Sequence, residues 1–140
     1  MSHTFDSLAE AVRASFPPSS CRVVAVREHG DAAVALFDTS PTADPYLYEV
    51  HYHRDKGGWS ESTSGNGPGW HFLGPQSDVG AVTLWDKAPP DADRVRAEFG
   101  GKVFEESTDA GVYMFAWWGV PCSAAQVIGF RTHGEWVRAP

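Results

Sequence analysis

The sequence predicts an α+β fold that is mostly β: an N-terminal helix packed on antiparallel hairpins, followed by a small β-sandwich-like half. Three observations predict it. Only the first segment carries apolar residues at helical spacing, namely Phe5, Leu8, Val12 and Phe16. From Arg22 onward, short apolar runs recur at period two. Between them stand glycine- and proline-rich turns, drawn from 14 Gly and 10 Pro in 140 residues, which suit hairpins rather than long crossovers.

The helix is expected over about Thr4–Phe16, with Ser7 and Glu10 spaced as a capping box and Pro17-Pro18 ending it. Strands follow at Arg22–Glu28 and Ala32–Asp38, joined by a turn at His29-Gly30-Asp31. The second of these is apolar on both faces, with Val34 and Leu36 on one and Ala33, Ala35 and Phe37 on the other. Such a strand belongs in the middle of a sheet or under the helix. Residues 40–45 form a Pro-punctuated loop, and Tyr46–Arg54 then alternates, with Tyr46, Tyr48, Val50 and Tyr52 against Leu47, Glu49, His51 and His53. A turn at Asp55–Gly58 leads into Trp59–Thr63, a flexible loop is expected at Ser64–Gly69, and Trp70–Leu73 is a short aromatic strand.

A boundary near Ser77–Gly80 divides the chain into residues 1–76 and 77–140. The second half reads as short strands at Ala81–Trp85, Arg94–Phe99, Lys102–Ser107, Val112–Trp118, Gln126–Thr132 and Glu135–Val137. Their spacing resembles that of a small immunoglobulin-like or fibronectin-like sandwich, without the Cys–Trp–Cys framework. Val112–Trp118 is apolar on both faces, so Trp117 and Trp118 are candidate interface residues, toward either the first half or a second copy of the chain.

Composition bounds the function. With 42% hydrophobic residues the chain can bury about two-thirds of its surface without staples. Eleven basic against 18 acidic residues give a charge of -7, shared evenly by the two halves, and no basic patch stands out. Nucleic acid and anionic membranes are therefore not expected partners. The first residues lack the pattern of a secretory signal and no segment approaches a membrane span. With scarce Lys and a single Ile, the expectation is a bacterial cytoplasmic protein. Cys21 and Cys122 are expected as free, mostly buried thiols.

Two constellations point to chemistry. Glu49, His51 and His53 share one strand face, and with His71 as a further donor they make a candidate metal site, zinc being the borderline ion that suits imidazole and carboxylate. Trp59, Trp70, His71 and Phe72 flank the Gly-rich loop and form a candidate site for a flat ligand. No phosphate loop, nucleophile elbow or cooperating carboxylate pair occurs, and no catalytic residue is assigned. Arg94 and Arg96 share a face and are expected to pair with Glu105 or another carboxylate across the hairpin.

The resulting expectation is a non-catalytic interaction or structural protein. It would bind a protein partner or itself through an aromatic surface drawn from Trp59, Trp70, Trp85 and Trp117 or Trp118, with no cofactor. One alternative is a small metal-dependent or ligand-binding enzyme centred on Glu49, His51, His53 and His71. Another is an acidic inhibitor or immunity-type protein that captures a basic partner.

Overall fold

In the computed structural model, which describes residues 4–16, 20–40, 44, 46–73, 79–109 and 111–140, the chain is mostly β with one short helix. The expected helix stop at Pro17-Pro18 and most of the Pro-punctuated loop lie outside the described residues. The chain forms two compact units, Met1–Gly67 and Pro68–Pro140. The division falls before Trp70–Leu73 rather than after it, because that strand pairs with the strand that follows and not with the one before. No helix among the described residues is long and apolar enough to cross a membrane.

The N-terminal unit is helix α1 (Leu8–Ser15) on an antiparallel meander of β1 (Arg22–His29), β2 (Ala32–Asp38), β3 (Leu47–Asp55) and β4 (Gly58–Asn66), in that order across the sheet. Ser7 caps α1, its side chain accepting the Glu10 amide at 3.2 Å. The helix starts later than its apolar spacing suggests, because Phe5 is held extended by two backbone bonds with Trp59 (2.8 and 2.7 Å). Gly58 makes that bridge possible. Its φ is +114°, and a Cβ there would stand 2.4 Å from the Phe5 carbonyl oxygen, so no other residue fits.

One face of the sheet meets α1 through Ala33, Ala35, Phe37, Val50, Tyr52 and Trp59, all buried with Ala11 and Val12 of the helix. As expected for a strand apolar on both faces, β2 is interior, and Ala33 through Asp38 are buried. β4 runs on through the expected flexible loop. Ser64 and Gly65 pair with Val50 and Glu49, since a neighbouring strand with matching donors and acceptors overrides the weak strand preference of Ser and Gly.

Tyr52 gives this core a pH signature. Burial pushes its phenol up to about 12, against the opposing bond to Ser15 at 2.6 Å and with a smaller contribution from Glu61. The neutral phenol is favoured in the folded state, so its stabilisation is complete below pH 10, the ordinary tyrosine value, and is lost as pH rises toward 12. Tyr52→Phe is therefore expected to cost about 1 kcal/mol at pH 7 through the lost hydrogen bond. It should also flatten the fall in urea midpoint between pH 10 and 12. An unchanged alkaline slope would refute the assignment.

The C-terminal unit is two packed sheets. β5 (Gly69–Leu73), β6 (Val79–Lys87) and β9 (Val112–Pro121) form one, in the order β5-β6-β9. The other is β11 (Glu135–Arg138), β10 (Gln126–Thr132), β7 (Ala92–Phe99) and β8 (Lys102–Ser107), in the order β11-β10-β7-β8. Lettered A to G along the chain, these sheets read ABE and GFCD, an immunoglobulin-like sandwich whose fourth strand has moved to the second sheet. Val82 and Leu84 face Val95, Ala97 and Phe99 across the core, with Tyr113, Phe115 and Ala125 completing it. On the outer face of β7, Arg94 and Arg96 both donate to Glu105, at 2.6 and 3.1 Å, as the spacing predicts. The Arg96 guanidinium also lies 3.7 Å from the centre of the Trp136 ring.

Candidate functional site

A concave feature of the N-terminal unit follows from how α1 is placed. The helix lies against β3 and β4, so the β1–β2 half of the same sheet face is left beside it as a groove of about 670 Å³. Leu8, Val12 and Phe16, at helical spacing, form one wall, and Val23, Val26 and Phe37 form the other. Phe16 closes one end, its ring 4.8 Å from that of Phe37 and 5.6 Å from that of Tyr48.

A β-bulge creates the second wall. Val23 opposes Phe37 and Val26 opposes Ala35, with a register shift between Val23 and Ala25. Phe37 and Ala35 are two apart and share a face, so the bulge brings Val23 and Val26, three apart, onto that face together. Val24 turns away and is buried, while Val23 and Val26 stay 44% and 38% exposed. On this edge strand the two valines and the apolar helix face line one groove.

The polar groups of the groove stand at its ends. Arg13 and Arg22 belong to the end closed by Phe16 and Phe37, because Arg13 lies one helical turn before Phe16 and Arg22 precedes Val23. Arg22 is engaged by the buried Asp38 at 3.4 Å. Asp38 also accepts the Ser40 and Tyr46 amides, at 2.9 and 3.3 Å. Arg13 makes no ion pair among the described residues. Glu28 lies toward the opposite end, opposite Ala33. Cys21, half-buried, also lines the groove; it and the exposed Cys122 are both free thiols, so neither is buried as expected. Pockets of a few hundred Å³ with apolar walls and a few placed polar groups are the usual form of small-ligand sites.

No family model, curated protein or solved structure matches the chain. Its own residues therefore carry the functional argument.

The residues singled out from the sequence divide between the units. Glu49 and His51 do meet: both are buried on β3, and the imidazole Nε2 is hydrogen-bonded to the carboxylate. His53 shares their face but is exposed at the strand end, 3.9 Å from Asp55. His71 belongs to the C-terminal unit, where its ring stacks on Trp85 at 5.4 Å. No group of three or more His, Cys, Asp or Glu side chains able to hold a metal ion occurs among the described residues. Glu49, His51 and His53 thus lie in the N-terminal unit and His71 in the C-terminal one.

The tryptophans of the expected aromatic surface differ in burial. Trp59 is 3% exposed in the N-terminal core, and Trp85 is 1% exposed. Trp70 and Phe72 share a face of β5, but Phe72 packs onto the sandwich core and only Trp70 remains exposed. Trp117 packs, half-buried, against that core, stacked on Phe99 and Phe115 at 4.6 and 5.6 Å and meeting Phe104 edge-on. Trp118, on the other face of β9, is half-buried. Indoles carry the largest apolar area of any side chain, and this chain spends most of it inside.

Sequence reading missed Val23, Val26 and Arg13. The available signal was Val23-Val24-Ala25-Val26 itself, a run apolar on both faces, but strict alternation groups Val24 with Val26 and cannot anticipate a bulge.

Proposed function

We propose that the chain is a non-catalytic binding protein and that its site is the groove between α1 and β1. The observation that supports this reading is the pairing of two exposed valines on a bulged edge strand with an apolar helix face, around about 670 Å³ of open space. Exposed apolar walls of this kind gain roughly 25 cal/mol for each Å² they cover, so a fitting ligand removes an unfavourable surface from water. The charged groups of the groove sit at its ends, where they orient a ligand rather than act on one. Relative to the reading from sequence, the class of activity is kept and the surface moves from the tryptophans to the helix–strand groove.

The test uses a neutral fluorescent apolar probe, phenyl-naphthylamine, titrated into the full chain. One-to-one binding with a rise in emission is expected. Ala9→Trp, which fills the groove from an exposed helix position, and Val26→Asp, which places a charge in its wall, should each weaken binding at least about tenfold, the effect of losing roughly 1.4 kcal/mol. Both positions are exposed, so both variants should keep the wild-type circular dichroism spectrum. Binding that both folded variants retain would place the probe elsewhere and sink the proposal.

A further inference from the structure

Resting on that reading of the groove, we infer its ligand class: an amphiphile with a single carboxylate head and a medium-length hydrocarbon tail, the head at the Arg13 end and the tail along Val23 and Val26.

The groove is electrically one-directional. At the end closed by Phe16 stand two guanidinium groups, of which Arg22 is already bound to Asp38 while Arg13 makes no ion pair among the described residues. A planar guanidinium with parallel N–H donors matches a carboxylate. In a chain of net charge -7, this end of an apolar groove is a place where an anionic head gains a partner. Glu28 has the opposite effect at the far end. It lies opposite Ala33, four residues along β2 from the Phe37 that opposes Val23, about 13 Å at strand rise, and repels a second anion there. A diacid spanning the groove would set one carboxylate against Glu28, whereas a hydrocarbon terminus meets no such penalty. The side chains between, Val12, Val23, Val26 and Phe37 among them, are aliphatic or aromatic carbon.

Calorimetric titration of the full chain at neutral pH, with each amphiphile below its micelle concentration, tests the assignment. Decanoate should bind about fivefold more tightly than decanol, the upper range for one solvent-exposed ion pair, and decyltrimethylammonium more weakly than either. Decanedioate should bind less tightly than decanoate. Arg13→Gln should bring decanoate down to the affinity of decanol and leave decanol unchanged, and Glu28→Gln should restore much of the decanedioate loss. The decanoate preference should also shrink between 20 mM and 500 mM salt as the Debye length falls from roughly 20 Å to 4 Å.

Equal binding of decanoate and decanol by the wild type, or a preference that survives Arg13→Gln, overturns the head-group assignment. It leaves the groove intact so long as decanol binding is lost in Ala9→Trp. If decanol and decanoate both fail to bind, the groove reading falls and this inference falls with it.

Discussion

Replacing Trp59 with alanine is expected to destabilise the N-terminal unit by about 3–5 kcal/mol, the range for removing a buried indole. The ring is 3% exposed and packs with Val50, Tyr52 and Val12 beneath α1. Where the cost falls within that range depends on whether neighbours can collapse into the hole. Here they are held. Phe5 is tied to the Trp59 backbone by both bridge bonds, and its carbonyl already sits where a Cβ on Gly58 would stand. The N-terminal segment therefore cannot slide inward, and the loss should lie near the upper end. Urea unfolding, with hydrogen exchange of the β3 and β4 amides, measures it, and Trp59→Phe should lose markedly less. An unmoved midpoint together with weakened binding of the apolar probe would make Trp59 a ligand contact instead of a core residue.

Removing the imidazole from the buried pair on β3 is also expected to destabilise the N-terminal unit. In His51→Ala the Glu49 carboxylate, 3% exposed, loses its imidazole partner in a region that solvates it poorly. Removing one partner of a buried hydrogen bond costs about 1–3 kcal/mol. Glu49→Gln retains a hydrogen-bonding group beside the ring and should cost nearer 1 kcal/mol. Glu49 and His51 lie opposite Leu36 and Val34 in the register of β2 and β3. Replacing both by leucine continues that apolar face and should cost less than His51→Ala alone, as when both partners of a buried hydrogen bond are exchanged for apolar groups. A thermodynamic cycle over Glu49→Leu, His51→Leu and the double leucine variant gives the coupling. If the double variant loses as much as the sum of the two singles, the groups act independently and the pair is not the reason for their burial.

These expectations mark what the chain's residues disclose unaided. The helix was legible because its signals are local: Ser7 caps it, and Leu8, Val12 and Phe16 fall on one face. Its first turn was not, because Thr4, Phe5 and Asp6 are drawn into an extended bridge by Trp59, more than fifty residues away. The loop expected at Ser64–Gly69 fails for a similar reason, since the open edge of β3 supplies Ser64 and Gly65 with partners. The hairpin Arg94–Ser107 was legible down to its ion pairs because both members lie across one short turn. The metal and aromatic sets were not, since each joined residues by type and strand position while their burial and neighbours depend on packing.

The candidate groove shows the same division most clearly. Alternation and turn chemistry, which act over a few residues, were enough to specify a helix followed by antiparallel hairpins and a sandwich-like second half. They could also name the apolar residues of β1. Which face those residues occupy was decided only when β1 paired with β2, because a single extra residue at Val24 reverses the alternation on either side of it. Where α1 settles was likewise decided by packing over Val50, Tyr52 and Trp59, and the space it leaves over β1 is a remainder of that choice. Period-two patterns encode inside and outside for a regular strand; a bulge and an off-centre helix are properties of pairing and packing, and they are what made a surface of Val23 and Val26.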